Sequence, residues 1–426
     1  MLMAQPLALP MRLFTVAFLL LAAALGALPA RAQLVLDGQV RDARTQRPLA
    51  YASVFLANTT YGTTTDSTGR FALASVPGGH YEIMVSYVGY QLYQKTVDLQ
   101  QSLTLAANLL PATTQLDEVV VHATKNRPAD YQRFLQQFLG RSAFSRQCRI
   151  ENPQDLVVYY DEQRRELTAA APRGVRVVNQ ALGYRITYYN FDFKVLYNAN
   201  RCVFVAAPAF EALPTADARQ QRRWDENRRK AYAGSLPHFL RSVREGRLPE
   251  EGFLVQAMVV EPKSEQAQQR VAQAGDSLAA VFTPEPGLLA RVYKAPLAAT
   301  QLRQPATVGA PRVQLQFPGA VQVTYQGEQP DALYAADVAV ARRNSQVGAA
   351  AAHRTGAGGV ALGRASYDPI LEVSELRLLG PPALILPNGY LTNPLSVKVD
   401  GYWSFEKVGE NLPLDYVPAA AGAPGP

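Results

Sequence analysis

Residues 62–90, GTTTDSTGRFALASVPGGHYEIMVSYVGY, decide the fold. Two alternating runs, Arg70–Leu73 and Tyr81–Tyr87, are set off by Asp66-Ser67-Thr68-Gly69 before the first and Val76-Pro77-Gly78-Gly79 between them. Proline fixes φ and glycine admits positive φ, so both clusters reverse the chain. Period-two mixing of β-branched or aromatic residues with polar ones marks half-buried strands. The pattern extends upstream to Val35–Arg41 and Ala52–Ala57, with Arg47-Pro48 between them, and downstream to Gln91–Leu99 and Leu103–Leu109. Strands this short and closely spaced over about 90 residues predict a two-sheet β-sandwich between Gln33 and Ala123.

Gly38, Val40, Asp42, Thr45, Pro48, Leu49, Ala52 and Val54, then Gly62, Thr65, Asp66, Gly69, Phe71, Pro77, Gly79, Tyr81, Val85, Ser86, Gly89 and Tyr90, together resemble the carboxypeptidase regulatory-like domain. The resemblance implies a transthyretin-like, carbohydrate-binding-like sandwich, a module fused to metallocarboxypeptidases and to the N-termini of TonB-dependent outer-membrane receptors. It implies structural roles for Gly38, Asp42, Pro48, Asp66, Gly69, Phe71, Pro77, Tyr81, Gly89 and Tyr90, and it does not convey a fusion partner's chemistry. Leu116–Ala123 is similar to the stretch after this domain in those receptors, where a TonB box lies; the other reading is a last sandwich strand. A receptor would require a barrel of ~22 strands. The remaining chain has helices and far fewer strand candidates, which excludes one.

At ~150 residues per domain, 426 residues make this a multidomain chain. With 48% hydrophobic, 18% charged and 9% aromatic residues it can collapse into folded cores. A net charge of +7, dispersed along the chain, gives no nucleic-acid signature. Met11 and Arg12, the apolar run Leu13–Leu28 and Ala30-Arg31-Ala32 have the three parts of a secretory signal. Residues 1–32 are therefore expected to be removed, leaving a mature chain with no transmembrane span. The expected location is the periplasm or outer membrane of a Gram-negative bacterium, soluble or peripherally bound to the membrane. In that oxidising compartment Cys148 and Cys202 either form a disulfide or stay as buried thiols; a bridge would stabilise by roughly 4 kcal/mol on the chain-entropy model.

After a linker at 124–128, residues 129–416 read as an α+β region, with a mobile segment at 348–363 and a disordered tail at 417–426. Tyr131, Phe134, Leu135, Phe138 and Leu139 form one helical stripe, closed by Gly140. Strand candidates follow at Leu156–Tyr160, Glu166–Ala170, Val175–Val178, Tyr184–Tyr197 and Cys202–Ala207. In the aromatic segment the apolar face is even-numbered through Tyr188 and odd-numbered from Tyr189, so a bulge is expected there; these rings either fill a core or present a sugar platform. A charged helix is expected over Ala216–Ala233 and another from Ser235, capped beyond by Gly246. The segment Arg228–Ser235 resembles one in uncharacterised cell-envelope proteins. Val313–Phe317 and Ala320–Tyr325 are expected to form a hairpin around Pro318-Gly319.

Little in the chain points to catalysis. His80, His122, His238 and His353 each lack a glutamate three residues on, so the metal ligands of a metallocarboxypeptidase are not present. Gly275-Asp276-Ser277-Leu278 spells a GDSL hydrolase motif, but the one late histidine, His353, has alanine three residues before it instead of aspartate. Gly356, Gly358 and Ala361 mimic a dinucleotide fingerprint without the strand it needs. No catalytic residue, cofactor or metal site is expected. The leading expectation is a non-catalytic envelope protein whose sandwich binds a protein or glycan; the alternative is a periplasmic hydrolase of carbohydrate or peptide.

Overall fold

The computed structural model describes residues 33–112, 127–199, 201–284, 287–305, 313–341, 370–380 and 383–418. The leader, Leu116–Ala123, Gly348–Gly363 and the last eight residues of the expected tail lie outside them.

The alternating N-terminal runs become β1 (Gln33–Asp42), β2 (Ser53–Leu56), β3 (Gly62–Thr64), β4 (Arg70–Pro77), β5 (Gly79–Ser86), β6 (Tyr93–Leu99) and β7 (Leu103–Leu109). They form two sheets, β4-β1-β7 and β3-β2-β5-β6. Leu36, Val40, Val54, Leu56, Ile83, Val85, Leu105 and Leu109 share the core between them. β7 lies parallel to β1, with Gly38 opposite Leu105. A Cβ on Gly38 would stand 1.9 Å from the Leu105 carbonyl oxygen, so this pairing admits glycine alone.

Next come α1 (Pro128–Phe138), β8 (Cys148–Ile150), β9 (Val157–Asp161), β10 (Glu166–Ala171), β11 (Val175–Asn179), β12 (Tyr184–Leu196) and β13 (Arg201–Ala212). β13 runs along one edge of β12, while β11 and then β10 share the other. The β12–β13 register shifts between Tyr189 and Asp192, and Asn190 has φ 48°. The buried face switches there, from Tyr184, Ile186 and Tyr188 to Phe191, Phe193 and Val195. Pro128 opens α1, which packs Phe134 5.3 Å from Phe193 and Phe138 5.1 Å from Phe191. These rings are core.

α2 (Ala218–Tyr232) is capped by Asp217, and α3 (Leu236–Glu245) by Ser235, whose side chain accepts from the His238 N–H. α2 is not simply a solvated rod. Its buried Trp224 donates Nε1–H to the Gln180 carbonyl at 2.9 Å, and Arg228 lies 4.2 Å over the Tyr184 ring.

The last region holds β14 (Phe253–Pro262), β15 (Leu278–Phe282), β16 (Leu288–Pro296), β17 (Arg303–Pro305), β18 (Val313–Leu315), β19 (Ala320–Tyr325), β20 (Glu372–Leu378), β21 (Leu384–Ile385) and β22 (Val397–Gly401). One sheet runs β15-β16-β14-β19-β20-β22 and another β17-β18-β21. The expected hairpin at Pro318-Gly319 is therefore absent: its arms lie in different sheets. β19 is buried at every residue and pairs with β14 and β20 on its two edges, which leaves no edge for β18. The protein is thus an N-terminal β-sandwich followed by a mixed region of further sheets and helices. No helix among the described residues is long and apolar enough to cross a membrane.

Candidate functional site

The sandwich's motif residues are spent on holding its turns. Asp42 Oδ1 accepts from the N–H groups of Arg44 (2.7 Å) and Thr45 (2.8 Å), and Oδ2 from the Tyr90 hydroxyl (2.7 Å). Tyr90 first, then these amides, pull the Asp42 carboxyl down to about 2. Asp66 Oδ1 accepts from Thr68 N–H and Oγ1–H and from Arg70 N–H, the last of which does most to lower its pKa. Pro48 bridges to Arg41, and the Tyr81 hydroxyl donates to the Pro77 carbonyl at 2.9 Å. Gly69 and Gly89 take φ of 72° and 83°, and Phe71 is core. These positions shape the scaffold and leave little free chemistry.

The sandwich docks onto the rest of the chain through its second sheet. Phe55 stacks on Tyr189 with centroids 4.7 Å apart, in a cluster with Ala57, Met84 and Ala207. At the end of β2, Asn58 N–H donates to the Pro208 carbonyl at 2.7 Å, and the Asn58 carbonyl accepts from Leu414 N–H at 2.7 Å. The opposite end faces solvent with Val88 91% exposed, Tyr51 74% and Leu110 54%.

A second feature lies between the α2–α3 turn and residues 402–416: a cavity of about 250 Å³ whose lining includes Tyr232, Arg241, Trp403, Glu406, Glu410 and Tyr416. The Arg228–Ser235 segment builds one wall. Gly234, at φ 72°, takes the Trp403 Nε1–H on its carbonyl at 2.8 Å, and a Cβ there would meet Glu372 Oε2 at 2.3 Å. Arg241 donates to the carbonyls of Asn388, Leu414 and Tyr416, so its guanidinium is already engaged. Burial, then the charges of Glu372, Glu410 and Glu328, holds the Glu406 carboxyl well above its usual range. Burial also lifts Glu410 to about 7 and Glu328 to about 7, and burial with the Glu328 charge lifts Glu372 to about 9. Glu372 Oε2 is buried without a hydrogen-bond partner. A carboxyl kept protonated near neutrality can donate a proton, the one enzyme-like property of this cavity.

The other sequence candidates do not converge on it as a catalytic set. Ser277 Oγ donates to the Ala274 carbonyl at 2.7 Å within a short 3-10 turn, and His353 lies outside the described residues, as do His122 and the Gly356–Ala361 stretch. His238 is buried, with Nδ1 accepting from Gly234 N–H and Nε2 3.2 Å from Glu251. Cys148 and Cys202 are both free. Of the two readings, a bridge or two thiols, the structure holds the cysteines apart: Cys148 aligns through Asn179 with Tyr184, at the start of β12, whereas Cys202 pairs with Val195 near its end. Among the described residues, no group of three or more His, Cys, Asp or Glu is placed to hold a metal ion. The carboxyl cavity escaped sequence reading; its signal was the aromatic and acidic run Tyr402–Glu410 beyond the recognised segments.

Residues 36–121 match the model of the carboxypeptidase regulatory-like domain, so the sandwich is such a module. No curated protein matches the chain. Among solved structures it is similar to catechol 1,2-dioxygenase from Pseudomonas arvilla C-1, at 16% identity over 21% of this chain and 55% of that one, with a TM-score of 0.18. A type II cohesin–X-dockerin complex from Acetivibrio cellulolyticus matches at 18% identity over 26% and 76%, TM-score 0.17. A DUF3823 family protein from Bacteroides uniformis matches at 9% identity over 43% and 100%, TM-score 0.16. The alignment with the Pseudomonas dioxygenase spans little more than half of that enzyme, and likenesses this slight carry no inference about activity.

Proposed function

We propose that this is an exported, non-catalytic protein of the bacterial envelope, in which the sandwich binds a protein or glycan and so joins an assembly. The observation that carries this reading is the regulatory-like module at residues 36–121, anchored to the rest of the chain by one face. Its outer strand β6 stays at a sheet edge with Gln94, Lys95, Thr96 and Asp98 exposed. An open edge strand can add a partner's strand, and loop ends offer further patches. The secretory-type leader supports export to the periplasm or outer membrane. The alternative, a hydrolase, draws on the raised carboxyls of Glu406 and Glu410 alone.

The test compares full-length protein, a variant lacking 33–123, Ser277→Ala and Glu406→Gln in pull-downs from solubilised envelope and on glycan arrays. Partner or glycan recovery should persist in both point variants and vanish with the deletion. If Ser277→Ala or Glu406→Gln abolishes the biological role while recovery survives, the hydrolase reading replaces this one.

A further inference from the structure

We propose that the outward end of the sandwich is a docking surface for an anionic phospholipid bilayer, entered by Tyr51, Val88 and Leu110 and held by Arg44 and Arg47. This goes beyond the partner-binding reading and does not depend on it.

Three loops bring the apolar side chains together. Ser53 pairs with Ser86 at the last step of the β2–β5 ladder, so Tyr51 and Val88, each two residues beyond it, leave the sheet at the same end. Gln91 N–H donates to the Leu110 carbonyl at 2.8 Å, and Ala112 N–H to the Gly89 carbonyl at 2.9 Å, which fastens Leu110 beside the Val88 loop. The tip is built, not frayed. Tyr51 is held at φ 61°, a left-handed conformation costly for a residue with a Cβ. Beneath Val88, Tyr87 and Tyr90 pack 5.4 Å apart, and Tyr90 is tied to Asp42.

The charge around this tip selects the occupant. Arg44 and Arg47 sit in the loop after β1, are exposed, and form no ion pair among the described residues. Asp42, the nearest acid, is buried and committed to Arg44 N–H, Thr45 N–H and Tyr90. Asp66, in the neighbouring turn, is committed to its own loop. The Arg44 charge is close enough to act on the Tyr90 hydroxyl. Apolar side chains at the tips of three loops, beside unpaired guanidinium groups, can enter the headgroup region while the cations meet anionic lipid. A protein partner would be better served by a flat or concave patch, and a glycan by polar donors around a ring. The docked turn at Asn58–Thr60 follows the far end of β2, and the body of the protein packs against the face of that sheet through Phe55, Met84 and Tyr189.

The experiment is co-sedimentation of the full-length exported protein with vesicles of phosphatidylcholine alone or with about a third phosphatidylglycerol. The expected result is binding to the anionic vesicles, weakened by salt, and reduced about tenfold or more by Val88→Asp or by Arg44→Glu with Arg47→Glu. Thermal melting of each variant checks the fold; these side chains are exposed, and Val88→Ser supplies a milder change at the same site. No binding to either vesicle overturns the proposal, as does equal binding by folded Val88→Asp. A dimer in light scattering that Val88→Asp dissociates, without vesicle binding, assigns the tip to a second copy and also overturns it. Glycan-array and envelope pull-down results are expected to be unchanged in Val88→Asp, which separates failure here from failure of the partner-binding reading.

Discussion

Thr60 and Asp415, 355 positions apart, form a two-point contact: the Thr60 N–H donates to Asp415 Oδ1 at 2.9 Å and its hydroxyl donates to Oδ2. It joins the β2–β3 turn of the N-terminal sandwich to the segment that lines the carboxyl cavity. With the Leu414–Asn58 bond beside it, it clasps the N-terminal sandwich to the C-terminal segment.

Asp415→Ala is expected to lower stability by about 1–2 kcal/mol, the range for a partly exposed hydrogen bond to a charged group. Hydrogen exchange at the Thr60 amide should quicken more than at the Val54 amide inside β2. Equal protection of Thr60 in both proteins would show that the clasp carries no weight.

Tyr189→Ala removes the ring on which Phe55 stacks and should cost roughly 2–4 kcal/mol. Because Phe55 and Met84 then lose part of their cover, calorimetry is expected to resolve the sandwich as a separate transition. A single transition at the native temperature would contradict the docking described above.

Glu372 is pushed from 4.5 to about 9 by burial and the Glu328 charge. The native state therefore binds more protons than the unfolded one between those values, and its stability falls as pH rises through that window. Glu372→Gln should remove this slope, raising stability by several kcal/mol, up to about 6, at pH 9 and changing it little at pH 4. Urea titrations across that range provide the measurement, and an unchanged slope would refute the assignment.

His238 moves the other way, from 6.5 to about 4, because burial and the Arg241 and Arg247 charges disfavour its cation. Here the unfolded state binds the extra proton, so stability drops as pH falls from 6.5 towards 4, by up to about 3 kcal/mol. Following the His238 ring signals by NMR should find no protonation at pH 5.5. A midpoint near 6.5 would mean the ring is not enclosed as described.

The sandwich was legible because its signals are local: each turn needs a carboxylate, a proline or a positive-φ glycine within a few residues of the strand it ends. The same holds for the bulge in β12, visible as a change of parity between Tyr188 and Phe191, and for the Ser235 cap of α3. Parity could not say what Tyr189 meets, since its partner Phe55 lies far away in sequence. β14 went unread, and the Pro318-Gly319 turn was misread as a hairpin, because strand partners there are chosen by tertiary burial. The carboxyl cavity was illegible for the same reason. Its glutamates, Glu406 and Glu410, stand close in sequence, but they acquire their protonation behaviour only once burial encloses both and the charge of Glu372, from a distant strand, acts on Glu406.

The clasp also orders events in time. The sandwich strands are complete once Leu109 has emerged from synthesis, yet the Asn58 carbonyl and Thr60 must wait for Leu414 and Asp415, among the last described residues. Until then Phe55 and Met84 present an apolar face whose cover has yet to be put in place. A nascent chain therefore carries the sandwich strands with an uncovered apolar side, so holdase chaperones should engage this protein before its C-terminus arrives and release it afterwards.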